Sequence, residues 1–327
     1  MQQTACREKQ DKIAGDSNTF QAEGKMKNFL KVLLVILVGN AVVIFLGWVI
    51  WNIIDRTNGH LISSGEKRDY LLYVSKSYDP SRPVPLVITI HGFAQWPANQ
   101  AEVSRWNRLA DQEGFIVVYP SGLGFPKRWR VALSTEDPAA VEKELRFFKD
   151  LIDKLSAEYA IDPTRIFANG LSNGGGMALR LACDMPDRIA AIGGVAGAYL
   201  VDLNECPGDV PGIFFHGKAD KIVPFEGGPS KSFTLPFPNI ATFVEDYARL
   251  NGCGLDKTVI LDTPNVLGVR YKGCTPGSEV VFYTIADGGH TWPGGNPLPR
   301  GITGKTTQEI DATQLMWDFF MEQTKNR

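Results

Sequence analysis

Excess charge of either sign is missing: 34 Lys and Arg stand against 36 Asp and Glu, a formal net charge of -2. So balanced a chain offers no basic footprint, which excludes nucleic acid as an expected partner. Histidine is scarce, with four in 327 residues. Any imidazole chemistry must come from His60, His91, His216 or His290. Cysteines number five and never occur as C-x-x-C, so their spacing indicates no metal site. Internal repeats and low-complexity tracts are also lacking, which removes solenoids and long polar linkers from consideration. What is present, 44% hydrophobic and 21% charged residues, is enough apolar material for one large globular domain with an appendage.

The appendage is N-terminal. Val32 to Ile54 contains no charged residue, and roughly 20 apolar residues cross a bilayer. Trp48 and Trp51 lie near its far end, where indole rings favour the interface. Lys25, Lys27 and Lys31 on the near side favour a cytoplasmic N-terminus. The expected organisation is a tail over 1–31, with a true start at Met26 left open. A transmembrane signal anchor over 32–54 follows, then a linker over 55–66 and a catalytic domain over 67–327. The lipid bilayer is thus an expected partner. The domain is expected outside the cytoplasm, periplasmic or on the cell surface, and secreted if the N-terminal segment is cleaved.

Cys6 falls in the tail; Cys183, Cys206, Cys253 and Cys274 follow the anchor. An even count in an exported domain suggests two disulfides. Four cysteines permit three connectivities; nearest-neighbour pairing, Cys183–Cys206 and Cys253–Cys274, is the expectation.

From Lys67 onward strand and helix signals alternate. Continuous apolar runs at Tyr70–Val74, Leu86–Ile90, Phe115–Tyr119, Ile166–Ala168, Ala190–Val195, Ile213–Phe215 and Val280–Ile285 read as strands buried on both faces. Helical periodicity marks 138–158, and 175–182, 240–250 and 310–324 also read as helices. The Gly/Pro-rich stretch 225–238 reads as a surface loop. The alternation predicts an α/β fold, a mostly parallel central sheet with helices on both faces.

Gly170-Leu171-Ser172-Asn173-Gly174 follows one predicted strand and precedes a predicted helix. That is the context of a nucleophile elbow, in which a tight turn lifts a serine hydroxyl clear of the sheet. Serine needs a base. His60 lies before the fold begins, and His91 and His216 each end a strand before a glycine, where bracing a turn is the simpler role. His290 lies in a glycine loop between the last strand and the last helix. Asp220 precedes it in Ser…Asp…His order and is favoured over Asp287 as the acid. Ser172, Asp220 and His290 are therefore the expected catalytic set. The backbone N–H groups of Asn173 and Phe93 are expected to hold an oxyanion.

Together, His91-Gly92-Phe93, Gly-Leu-Ser-Asn-Gly-Gly around Ser172, His-Gly-x-x-Asp around Asp220 and Gly-Gly-His-Thr-Trp-Pro-Gly-Gly around His290 resemble the polyhydroxybutyrate depolymerase/feruloyl esterase family, carbohydrate esterase family 1. The resemblance implies an α/β-hydrolase fold and cleavage of carboxylic esters through an acyl-enzyme, with no metal and no cofactor. The expected substrate is an ester: a small molecule, a polysaccharide-linked acyl group or a polyester. Where some members carry cysteines, this chain has Phe93 and Arg128, so that disulfide is absent. Trp96, Trp129 and Trp292 are candidate substrate-binding aromatics. A serine peptidase, an acyltransferase or a non-catalytic binding protein on the same scaffold are the alternatives.

Overall fold

The computed structural model describes residues 30–44, 55–131, 136–234 and 236–323. It divides into two units, Met1–Ile54 and Asp55–Arg327. In the first, residues 30–44 form a helix, α1, exposed along its length. No helix among the described residues is long and apolar enough to cross a membrane. Residues 1–29 of the expected tail and 45–54 of the expected anchor lie outside the described residues.

The second unit is built on one ten-stranded sheet. Its strands are β1 (Gly59–Ser63), β2 (Glu66–Val74), β3 (Val84–Ile90), β4 (Ile116–Pro120), β5 (Ile161–Leu171), β6 (Ala191–Val195), β7 (Gly212–Gly217), β8 (Lys257–Asp262), β9 (Val266–Tyr271) and β10 (Val280–Ile285), in the order β1-β2-β4-β3-β5-β6-β7-β10-β9-β8. The central run from β4 to β10 is parallel, and both flanks turn antiparallel. The predicted mostly parallel sheet is therefore present.

Side chains alternate across each strand, so neighbouring residues enter different cores. Leu86, Ile88 and Ile90 of β3 join one core; Val87 joins the other. The first core packs under α4 (Pro138–Glu158), α5 (Asn173–Asp184) and α6 (Ile240–Leu250). The second packs under α2 (Pro97–Ser104), α3 (Trp106–Glu113) and α8 (Ala312–Glu322), where the rings of Phe167 and Phe320 stack 4.7 Å apart. A short helix, α7 (Arg300–Thr303), follows the His290 loop.

Two expectations need correction, and one hairpin carried no sequence signal. Residues 59–63, read as part of a linker, pair antiparallel with β2 as an edge strand, with Leu61 packed against the first core. The hairpin β8–β9 extends the far edge; its outer strand is almost wholly exposed, so it lacks the continuous apolar run of a buried strand. Residues 225–238 are no mere surface loop, since Phe225 and Phe237 are buried in the first core.

Two covalent links and one buried ion pair tie elements together. Cys183–Cys206 and Cys253–Cys274 are disulfides. They fit the oxidising conditions outside the cytoplasm. Arg68 of β2 and Glu144 of α4 pair at 2.7 Å with both side chains almost fully buried. The Arg68 guanidinium lies 3.9 Å from the Phe147 ring centre, a cation over an aromatic face.

Candidate active site

β5 ends at Leu171 and α5 begins at Asn173, leaving Ser172 alone to make the turn, at φ 58° and ψ −120°. A non-glycine residue holds that conformation only when its surroundings impose it. Here they do: Ser172 N–H donates to Val195 O (2.9 Å), and Ser172 O accepts from Ala198 N (2.9 Å) and Gly176 N (3.1 Å). The glycines on either side have no room for a side chain. A Cβ on Gly174 would strike the carbonyl oxygen of Ile90, and one on Gly170 would strike the backbone of Gly174. Strand, turn and helix are packed backbone to backbone, and the serine is what projects.

Asp220 sits in the turn after β7. Its Oδ1 accepts from the backbone N–H groups of Ile222 (2.8 Å) and Val223 (2.9 Å), leaving Oδ2 aimed at His290 Nδ1, 2.7 Å away. Burial works against this carboxylate, but the imidazoles of His290 and His216 outweigh it and hold the Asp220 carboxyl well below the usual carboxylate range. An ionised carboxylate only accepts, so His290 Nδ1 carries the proton and Nε2 is left as an acceptor. His290 itself is fixed by its backbone N–H, which donates to Thr303 O at 2.6 Å. Asp287, the alternative acid, points away and pairs with Lys305 on the surface.

Ser172 and His290 line one cavity of about 260 Å³. Among the described residues the serine hydroxyl makes no hydrogen bond to the imidazole; in unliganded sites such bonds are often long and tighten with substrate.

The loop after β3 holds the other expected donor. Gly92 N–H donates to Gln95 Oε1 (2.9 Å) and Ala94 N–H to Lys127 O (2.8 Å). Between them, Phe93 N–H has no acceptor among the described residues. Asn173 N–H, at the first position of α5, is unpaired by its place in the helix. His91 braces this loop. Its Nδ1 donates to Gly92 O (2.8 Å), its Nε2 accepts from Gly122 N (3.0 Å), and its carbonyl accepts from Trp129 Nε1 (2.9 Å). Burial pushes its imidazole down to about 4, so it stays neutral.

The tryptophans divide. Trp129 lines a second cavity of about 280 Å³ that also reaches Ser172. Trp292 and Trp96, expected to bind substrate, line neither cavity. The Trp292 ring is buried, with Nε1 donating to Thr313 of α8 (2.9 Å); Trp96 is half-buried and caps α2. The cavities instead use Phe233 and Phe237 from the 225–238 segment, which carries no periodic signal.

Two other sets of contacts lacked a sequence signal. The Asn173 side chain bonds the backbone of Trp129 twice, Oδ1 accepting from its N–H (2.7 Å) and Nδ2 donating to its carbonyl (3.1 Å). His216 Nε2 donates to Val223 O (2.9 Å) and lies 3.4 Å from Asp220 Oδ2. No group of three or more His, Cys, Asp or Glu among the described residues is arranged to hold a metal.

Residues 69–208 match the family model described as Esterase PHB depolymerase. That span contains Phe93 and Ser172 and ends before Asp220 and His290. NocK of Nocardia uniformis subsp. tsuyamanensis, a protein that carries an esterase name, is 28% identical over 286 residues, covering 81% of this chain and 82% of its own. Feruloyl esterase C of Emericella nidulans is 28% identical over 274 residues, covering 81% of this chain and 87% of its own. Among solved structures, the crystal structure of a thermostable esterase aligns at a TM-score of 0.54 and 21% identity, over 83% of this chain and 64% of that one. At that identity the likeness shows the fold alone. The resemblance read from the motifs is borne out: the protein is a carboxylic ester hydrolase related to these enzymes.

Proposed function

We propose that this ester hydrolase works through Ser172, His290 and Asp220 by way of an acyl-enzyme. The observation that carries the reading is the 2.7 Å contact of His290 Nδ1 with Asp220 Oδ2, which leaves Nε2 basic in the cavity that Ser172 lines. His290 Nε2 takes the Ser172 proton as Oγ attacks the ester carbonyl. The oxyanion forms against the N–H groups of Phe93 and Asn173, each worth roughly 3 kcal/mol of transition-state stabilisation. The alcohol departs with the proton held by His290. Water then repeats the sequence on the acyl-enzyme, releasing the acid and restoring Ser172. Asp220 keeps the imidazole oriented and offsets its charge, without itself taking a proton.

The acyl group fits the substrates named for the relatives, a feruloyl or a hydroxybutyrate-type acyl chain, beside Trp129. The enzyme acts outside the cytoplasm, held to the bilayer by residues 32–54. The uncharged run there and the lysines before it support that placement. The test is hydrolysis of p-nitrophenyl acetate, methyl ferulate and hydroxybutyrate oligomers by the full chain and by Ser172→Ala. Turnover lost in the variant supports the reading; turnover near the wild-type level overturns it.

A further inference from the structure

The cavities of about 280 and 260 Å³ meet at Ser172, and Phe93 and Phe233 line both. Their rings meet edge to face, centroids 5.6 Å apart and planes at 90°. With Ser172 they stand on the boundary that the two cavities share. The two sides are not chemically equal. The larger runs past Trp129 to the charged pair Arg128 and Glu136; the smaller holds His290 and runs past Leu298 to Ile302.

We propose that the Phe93–Phe233 pair separates the two halves of the ester, and that the smaller cavity takes an apolar alcohol. The inference rests on the roles given above to Ser172 and His290. His290 hands its proton to the departing alcohol oxygen, so that oxygen must face the imidazole. Of the two cavities, only the smaller is lined by His290. The alcohol half belongs there, and the acyl half goes to the Trp129 side with Asn173.

The walls of the alcohol side then set its chemistry. Ile222, Phe233, Leu298 and Ile302 are apolar, and Ile302 is 71% exposed at the rim. Two of the polar groups beside them are already engaged. Gln95 Oε1 accepts from Gly92 N–H, and Thr303 Oγ1 donates to Pro299 O at 3.2 Å. No Lys, Arg, Asp or Glu lines this side. A sugar alcohol would shed water from several hydroxyls with few partners in return, at a cost for each group left unpaired. An alkyl, aryl or hydroxyacyl alcohol would gain from burial instead. The geometry therefore favours esters of apolar alcohols over acyl groups carried on polysaccharide hydroxyls.

The experiment uses the full chain and butanoate esters that share an acyl group. The alcohols are methanol, hexanol and diethylene glycol, the last a polar chain of similar length to hexanol. Wild type is expected to favour the hexyl over the glycol ester by about tenfold in kcat/KM, as differences of this kind in apolar pockets allow. Ile302→Ser, at an exposed position with little bearing on folding, is expected to narrow that preference several-fold and leave the ranking of acyl chains on methyl esters as it was. Phe233→Ala is expected to blur both rankings. Equal kcat/KM on the hexyl and glycol esters, or an Ile302→Ser variant that shifts acyl and alcohol rankings alike, overturns the assignment. Absence of turnover on every ester, or turnover surviving in Ser172→Ala, overturns the catalytic reading and this inference with it.

Discussion

His216 Nε2 lies 3.4 Å from Asp220 Oδ2, the same carboxylate oxygen that accepts from His290 Nδ1 at 2.7 Å. The Val223 carbonyl also accepts from His216 Nε2, so that nitrogen carries the proton, and Nδ1 is buried with no partner among the described residues. His216 is thus a donor on the far side of the acid, a positioning residue. Removing it takes away one contact to a charged group, worth about 1.5–3 kcal/mol. His216→Leu is expected to lower kcat by about tenfold with KM little changed, and His216→Gln, which keeps a donor, to recover part of the loss. Steady-state kinetics on one p-nitrophenyl ester decides it; an equal fall in both variants would make the role steric.

Asn173 clamps the backbone of Trp129 with both ends of its amide. Asn173→Ala keeps the N–H of the oxyanion site and frees the loop that walls the acyl cavity. The expected result is a KM that rises more for large acyl groups than for acetyl, with stability lowered by about 1–2 kcal/mol. A kinetic series over acyl length, alongside urea unfolding, measures both.

His91 gives a pH signature. In the unfolded chain its imidazole titrates at its ordinary value of 6.5; in the fold burial pushes it down to about 4. The unfolded state therefore binds the proton first as pH falls. The stability tied to neutral His91 is complete above pH 6.5 and is lost between there and pH 4, amounting to ~3 kcal/mol. Urea unfolding across that window is expected to show a flatter slope in His91→Gln than in wild type.

The Arg68–Glu144 pair predicts a penalty without a catalytic effect of its own. Both side chains are nearly out of solvent, and Arg130 stands a further 3.5 Å from Glu144. Glu144→Leu leaves Arg68 charged and buried, at an expected cost of about 3–5 kcal/mol. Arg68→Met with Glu144→Leu is expected to recover most of it, since neither charge is then stranded. Denaturant midpoints of the two variants test the difference.

Ser172, Asp220 and His290 were legible as candidates because their signals are local. Gly170 and Gly174 flank Ser172 within five residues, and the central strands announce themselves as unbroken apolar runs. What stayed illegible depends on packing between distant segments. Phe233 belongs to a stretch with no periodicity, and only the folded chain shows that it faces Phe93. Trp292, two residues from His290, turns its ring toward Thr313 of α8 and lines neither cavity. The edge strand β1 is half in water and β8 almost wholly exposed, so they lack the continuous hydrophobic pattern that marks β3 or β4. His216 reads alone as a strand-end histidine; its contact with Asp220 requires the turn that separates them.

The Cys183–Cys206 bridge closes on α5, the helix whose first turn follows Ser172. One end of that helix is set by a serine held in a conformation its own backbone disfavours; the other is tied by a bond that lasts only where thiols stay oxidised. Reduction of that bridge would leave the far end of α5 untethered while its first turn stayed fixed at Ser172. The helix is thus held at both ends only under oxidising conditions.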